Sequence, residues 1–74
     1  MTNEAAARLV DARGMRCPWP ALRLARAMRD AGEVLLIADD PNAAREVAAL
    51  AAEHGWAVVD EGTGEDEGRW RVSR

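Results

Sequence analysis

Residues 33 to 38, Glu-Val-Leu-Leu-Ile-Ala, form a short continuous apolar run rich in branched side chains, set between two stretches of helical periodicity. Such a run is expected of a strand buried on both faces, and the rest of the chain must arrange itself around it. Upstream, residues 18 to 31 read as a helix, because Ala21, Leu24, Ala25 and Met28 recur at helical spacing while Arg23, Arg26 and Asp30 share the opposite face. Gly32 ends it. Downstream, Asp40 stands as N-cap and Pro41 at the first position of an alanine-rich helix over residues 41 to 54. Ala43, Val47, Leu50 and Ala51 point inward, Arg45, Glu46 and Glu53 outward, and Gly55 stops the helix.

Three further strands complete the pattern. Residues 8 to 12 are a short strand candidate closed by an Arg13-Gly14 turn; residues 56 to 61 and 69 to 73 follow the second helix, the last with Trp70 and Val72 on one face. Between them, residues 62 to 68 are acidic and glycine-bearing. That loop is too short for a phosphate cradle, lacks the lysine of a P-loop, and reads as a solvated hairpin. The order βαβαββ, with right-handed crossovers, places both helices on one face of a four-stranded mixed sheet, an α+β two-layer sandwich.

A chain of 74 residues makes one domain with a small core, here residues 8 to 74 preceded by a polar, alanine-rich tail over 1 to 7. With neither phenylalanine nor tyrosine, the core is mostly aliphatic and is completed by Trp56 and Trp70. A single cysteine excludes an internal disulfide, and one cysteine with one histidine is no zinc ligand set, so no metal or cofactor is expected. The net charge of −3, with arginine as every strong cation, argues against direct nucleic-acid binding. The start of the chain lacks the features of a signal peptide, no stretch has the length of a membrane span, and a free thiol fits the cytoplasm.

The chemistry centres on Arg16-Cys17-Pro18-Trp19-Pro20. If the helix begins at Pro18, Cys17 is its N-cap, beside the positive end of the helix dipole. If it begins at Pro20, Cys17 lies a residue or two outside the first turn, in an extended segment. Pro18 and Pro20 carry no N–H, so the amides of Trp19 and Ala21 are the nearest donors to the sulfur, and Arg13 and Arg16 are near enough in sequence to lower its pKa. Arg23 and Arg26 are either the solvated face of an amphipathic helix or a basic flank beside the thiol that docks an acidic partner. Trp19 stands exposed as a contact or packs against a neighbouring loop. His54 is the only histidine, but at the far end of its helix it is expected at the opposite pole from Cys17. The pair Asp39-Asp40 reads as capping rather than as an acid/base or metal site, because adjacent side chains diverge and no third ligand follows.

The segment Gly14-Met15-Arg16-Cys17-Pro18-Trp19-Pro20 resembles the Cys-Pro-X-Pro signature of the TusA/SirA family of small sulfur carriers. Leu36-Ile37-Ala38-Asp39-Asp40-Pro41 is similar to the strand-to-helix passage found there at the same distance, and Leu9 to Gly14 also fits, so the resemblance covers residues 8 to 73. Trp19, where an acidic or aliphatic residue is more usual, and the acidic loop depart from it. The resemblance implies the same two-layer fold, similar to the C-terminal domain of translation initiation factor three. It also implies a sulfurtransferase that holds a persulfide on Cys17, with Pro18 and Pro20 fixing its geometry and Arg16 tuning its charge. A cysteine desulfurase or rhodanese-type donor would supply the sulfur, and a relay acceptor would pass it to tRNA thiolation, molybdenum-cofactor synthesis or sulfur oxidation. The alternative is a non-catalytic redox-responsive or protein-interaction module with Cys17 as a structural helix cap. An accessible, acidic thiol favours the first; a buried thiol of raised pKa favours the second.

Overall fold

A computed structural model of the chain describes residues 7–63 and 67–74. They fold in the order β1 (Ala7–Asp11), α1 (Trp19–Asp30), β2 (Glu33–Ala38), α2 (Ala43–His54), β3 (Ala57–Thr63) and β4 (Gly68–Ser73). β2 pairs in parallel with β1 and antiparallel with β4, which pairs antiparallel with β3, so the sheet order is β1-β2-β4-β3. Three strands therefore run one way, with β4 reversed between β2 and β3. α1 lies over β1 and β2, α2 over β3 and β4, and the helices touch each other.

Burial with period two shows which sheet face the helices cover. Val10, Val34, Leu36, Ala38, Trp70 and Val72 form one cluster with Leu24, Ala27 and Met28 of α1 and Ala43 and Val47 of α2. Leu36 is its centre, in register with Val10 on one side and Trp70 on the other. Complete burial of a side chain such as Leu24, Leu36 or Met28 contributes about 1.5–3 kcal/mol. Trp70 belongs to this core as expected, whereas Trp56 is half-buried at its margin and stacks on His54, ring centroids 4.5 Å apart.

The apolar run in β2 is not buried on both faces. With both helices on one side, Val34, Leu36 and Ala38 are enclosed, while Glu33 and Leu35 on the other face are half-buried. Ile37 is the exception, buried on the open face between Asp11 and Arg69 of the flanking strands. Arg71 crosses this face, its guanidinium donating to Glu33 at 2.8 Å and to Glu61 at 2.8 Å.

Element ends differ from the sequence reading in instructive ways. α2 begins at Ala43 with Asn42 as N-cap, because Pro41 and Asn42 form a turn instead of the first helical residues. Asp40 still serves that entry: its Oδ1 accepts the Asn42 N–H at 2.7 Å and its carbonyl accepts the Ala43 N–H at 2.9 Å. α2 stops at Gly55, in the left-handed conformation expected of a helix-terminating glycine. α1 instead ends at Ala31 in extended geometry, and the Arg74 guanidinium donates to the carbonyls of Met28 and Ala31. In the hairpin joining β3 to β4, Thr63 pairs with Gly68, and residues 64–66 of the acidic loop lie outside the described residues, as do residues 1–6 of the tail.

Candidate functional site

Because β1 and β2 are adjacent and parallel, the loops that follow them leave the sheet side by side. Ligand sites of open α/β sheets favour this carboxyl edge of the strands. Residues 12 to 18 after β1 and 39 to 42 after β2 build a shallow open crevice lined by Gly14, Met15, Arg16, Asp39, Asp40, Pro41 and Asn42. The Ala12 N–H donates to the Ile37 carbonyl at 2.8 Å, extending the β1–β2 ladder into the loop. Gly14, with φ 86°, turns the chain so that its N–H points at the Asp39 carboxylate, 2.9 Å from Oδ1. That turn asks for a glycine, since a side chain in this region of φ is strained.

The Cys17 N–H donates to Asp40 Oδ2 at 2.8 Å. Asp40 therefore touches both the cysteine and the entry of α2, a role the capping argument did not reveal, since it depends on the two strands lying side by side. Asp39 and Asp40 act by accepting backbone N–H groups from the neighbouring loop, in keeping with the structural rather than the acid/base reading.

Cys17 is not a helix cap. The N-cap of α1 is Pro18, no side chain caps this end, and Pro20 falls in the first turn, so the cysteine lies one residue outside the cap. The closer of the two sequence alternatives is thus the one with Cys17 outside the helix, although the helix begins at Trp19 rather than Pro20. The Cys17-Pro18 peptide bond is cis. The Trp19 amide, anticipated as a donor to sulfur, donates instead to the Arg16 carbonyl at 2.8 Å.

The thiol is half-buried and unpaired, but it is not acidic. Partial burial pushes the Cys17 pKa up, as do the Glu46 carboxylate, by hydrogen bond and by charge, and the charge of Asp40; Arg45 opposes them. The expected depression fails because the two arginines nearest in sequence act elsewhere. Arg13 is held by Asp11 at 2.7 Å and reaches Glu67 at 3.4 Å, while the charge of Arg16 acts on Asp40, whose pKa is lowered chiefly by the N–H donors of Asn42 and Cys17. Glu46 was assigned only to the outer face of α2, and its closeness to the sulfur comes from the helices packing together.

The remaining candidates divide by position. Pro18 and Trp19 are exposed, Trp19 at 59 %, and Pro20 is buried under the helix start. Trp19 continues into Leu22, Arg23 and Arg26, an exposed stripe along α1 at helical spacing, with Arg23 lying 3.8 Å from the Met15 sulfur. His54 shares its surroundings with Arg29, Trp56 and Arg74 near the C-terminal end of α1, away from Cys17 at the other end. No helix among the described residues is long and apolar enough to cross a membrane.

The thiol thus stands half-buried on a short loop tethered to Asp40, beside the exposed stripe of α1. The SirA-like protein from Desulfitobacterium hafniense has a solved structure similar to this one, with a TM-score of 0.79 and 19 % identity over 88 % of this chain and 93 % of that one. The model of the family described as sulfurtransferase TusA matches residues 8–73, both helices and nearly all of the sheet. The chain therefore belongs to the TusA family of sulfurtransferases.

Proposed function

We propose that this chain carries sulfur as a persulfide on Cys17, taking it from a donor protein and handing it to an acceptor. The observation that carries this reading is the position of the only cysteine of a TusA-family chain, half-exposed at the carboxyl edge of the sheet. In loading, the Cys17 thiolate attacks the terminal sulfur of a donor persulfide, the donor's S–S bond breaks, and the donor cysteine leaves as thiolate. In delivery an acceptor thiolate attacks the terminal sulfur of Cys17-S-SH and Cys17 leaves. No net oxidant or reductant is required.

A raised pKa slows this chemistry less than it first suggests. Each unit above the ambient pH reduces the thiolate fraction about tenfold, but the remaining thiolate is about threefold more nucleophilic, given a Brønsted coefficient of about 0.4–0.5. The raised pKa is the observation that favours the rival redox or interaction module. Against that rival stands the loss of its structural rationale, since Cys17 caps no helix.

The exposed stripe of Trp19, Leu22, Arg23 and Arg26, together with Arg16, fits a partner surface that is acidic around an apolar centre. The chemistry calls for a persulfide-bearing donor, which in this reading is a cysteine desulfurase or a rhodanese-type protein, and the acceptor in this reading is a relay protein of tRNA thiolation, molybdenum-cofactor synthesis or sulfur oxidation. The free thiol supports a reducing, cytoplasmic setting for the exchange as part of this reading. The test is intact mass after incubation with a cysteine desulfurase and cysteine. Wild type is expected to gain one sulfur atom, lost on reduction, and Cys17→Ser to gain none; an unmodified wild type with several donor types would move the protein to the interaction reading.

A further inference from the structure

We propose that Asp40 is a positioning residue for sulfur transfer: its single carboxylate ties the Cys17 peptide N–H to the entry of α2 and so fixes where the sulfur stands. The reason lies in the backbone of residues 17 to 20. With prolines at 18 and 20, this segment has two N–H groups, those of Cys17 and Trp19. The Trp19 group is engaged locally, by the Arg16 carbonyl at 2.8 Å. The Cys17 group is therefore the one amide through which the segment is tethered across the fold, and its partner is Asp40 Oδ2 at 2.8 Å.

Two acceptors are needed at Asp40, because Oδ1 simultaneously receives the Asn42 N–H at 2.7 Å. A carboxylate meets both donors; an amide would accept one and turn its own N–H groups against the other. The same group also adds negative charge beside the thiol, alongside Glu46 and against Arg45 of α2, with Arg16 acting on Asp40 from the cysteine's own loop. Charge and tether thus work in opposite directions on transfer. Removing the charge enlarges the thiolate fraction, while removing the tether loosens the geometry of attack, to which displacement rates are steeply sensitive.

This opposition makes the role measurable, and the proposal rests on the persulfide-carrier reading only for its transfer arm. In Asp40→Asn, iodoacetamide alkylation at neutral pH is expected to speed up as its pH midpoint moves down. Single-turnover loading from a desulfurase at saturating donor is expected to slow by at least about tenfold, with little change in KM. In Asp40→Glu, which keeps the charge and displaces the oxygens, alkylation stays close to wild type and loading is slowed. The Cys17 and Asn42 amides exchange with deuterium about tenfold faster in Asp40→Asn, while those of β2 and β4 do not.

Loading that rises in step with alkylation in Asp40→Asn, or wild-type loading in Asp40→Glu, would overturn the positioning role and leave only a charge effect. If wild type takes up no sulfur, the carrier reading fails instead, and amide exchange still decides the tether: an unchanged Cys17 amide in Asp40→Asn removes it. Should Asp40→Asn fail to fold by circular dichroism, Asp40→Glu carries the comparison.

Discussion

Gly68 and Trp70 sit two residues apart on the helix-facing side of β4, where a Cβ added to the glycine would stand 2.6 Å from the indole Cη2 and 2.7 Å from Cζ2. The indole is buried in the same core cluster as Leu36 and Val72, so Gly68→Ala should lower stability by about 1–3 kcal/mol in urea denaturation, as overpacked core sites do. Gly32→Ala, with open space around the position, is the control and should stay within about 0.5 kcal/mol. At this scale the sequence was informative about identity and poor about environment. The Cys-Pro-X-Pro neighbours along the chain single out Cys17 as the candidate group. Its acidity could not be read there, because Glu46 and Asp40 approach the sulfur through tertiary packing while Arg13, four residues away, is bound to Asp11. Asp40 was legible as the start of a helix and illegible as the anchor of Cys17, since its second partner is 23 residues distant.

Among the elements, α1 shows most plainly how periodicity divides a helix between core and partner. Pro20, Ala21, Leu24, Ala27 and Met28 are buried, and the stripe from Trp19 through Leu22 to Arg26 is left outside, leading away from the thiol. Spacing alone separated those faces, but whether Trp19 was covered depended on what lay beside it, and it is exposed. If the stripe receives the donor, Arg26→Glu should raise the KM for donor-dependent loading by roughly two- to fivefold at low salt, as expected for a rim charge, and less at high salt. Alkylation of Cys17 by iodoacetamide should not change. β2 shows the opposite error of scale: an unbroken apolar run reads as two-sided burial, yet the layer count of the whole fold determines that one side stays half open.

For the molecule as a whole, several surface carboxylates couple the fold to pH in the same direction. Asp11 is held at about 2 by its hydrogen bonds from Arg13, Asp40 is lowered by the N–H groups of Asn42 and Cys17, and Glu61 by Arg71. A carboxyl with a lower pKa folded than unfolded is protonated more readily in the unfolded chain, so its stabilisation is complete above the ordinary carboxylate range and lost below it. The urea midpoint should therefore be flat from neutral pH down to about 5, then fall as pH drops towards 2. The NMR titration of Asp11 should have its midpoint at about 2. Sheet order was partly legible too: the succession of elements implied a mixed sheet with helices on one face, but the place of β4 between β2 and β3 follows from pairing that no local pattern encodes. That insertion has a consequence for assembly. The last of the described strands fills the middle of the sheet, so while the chain is being synthesised β2 has only β1 for a neighbour and β3 has none. The sheet closes only when β4 arrives, and β3 gains its sole strand partner, and with it its place beneath α2, at that point.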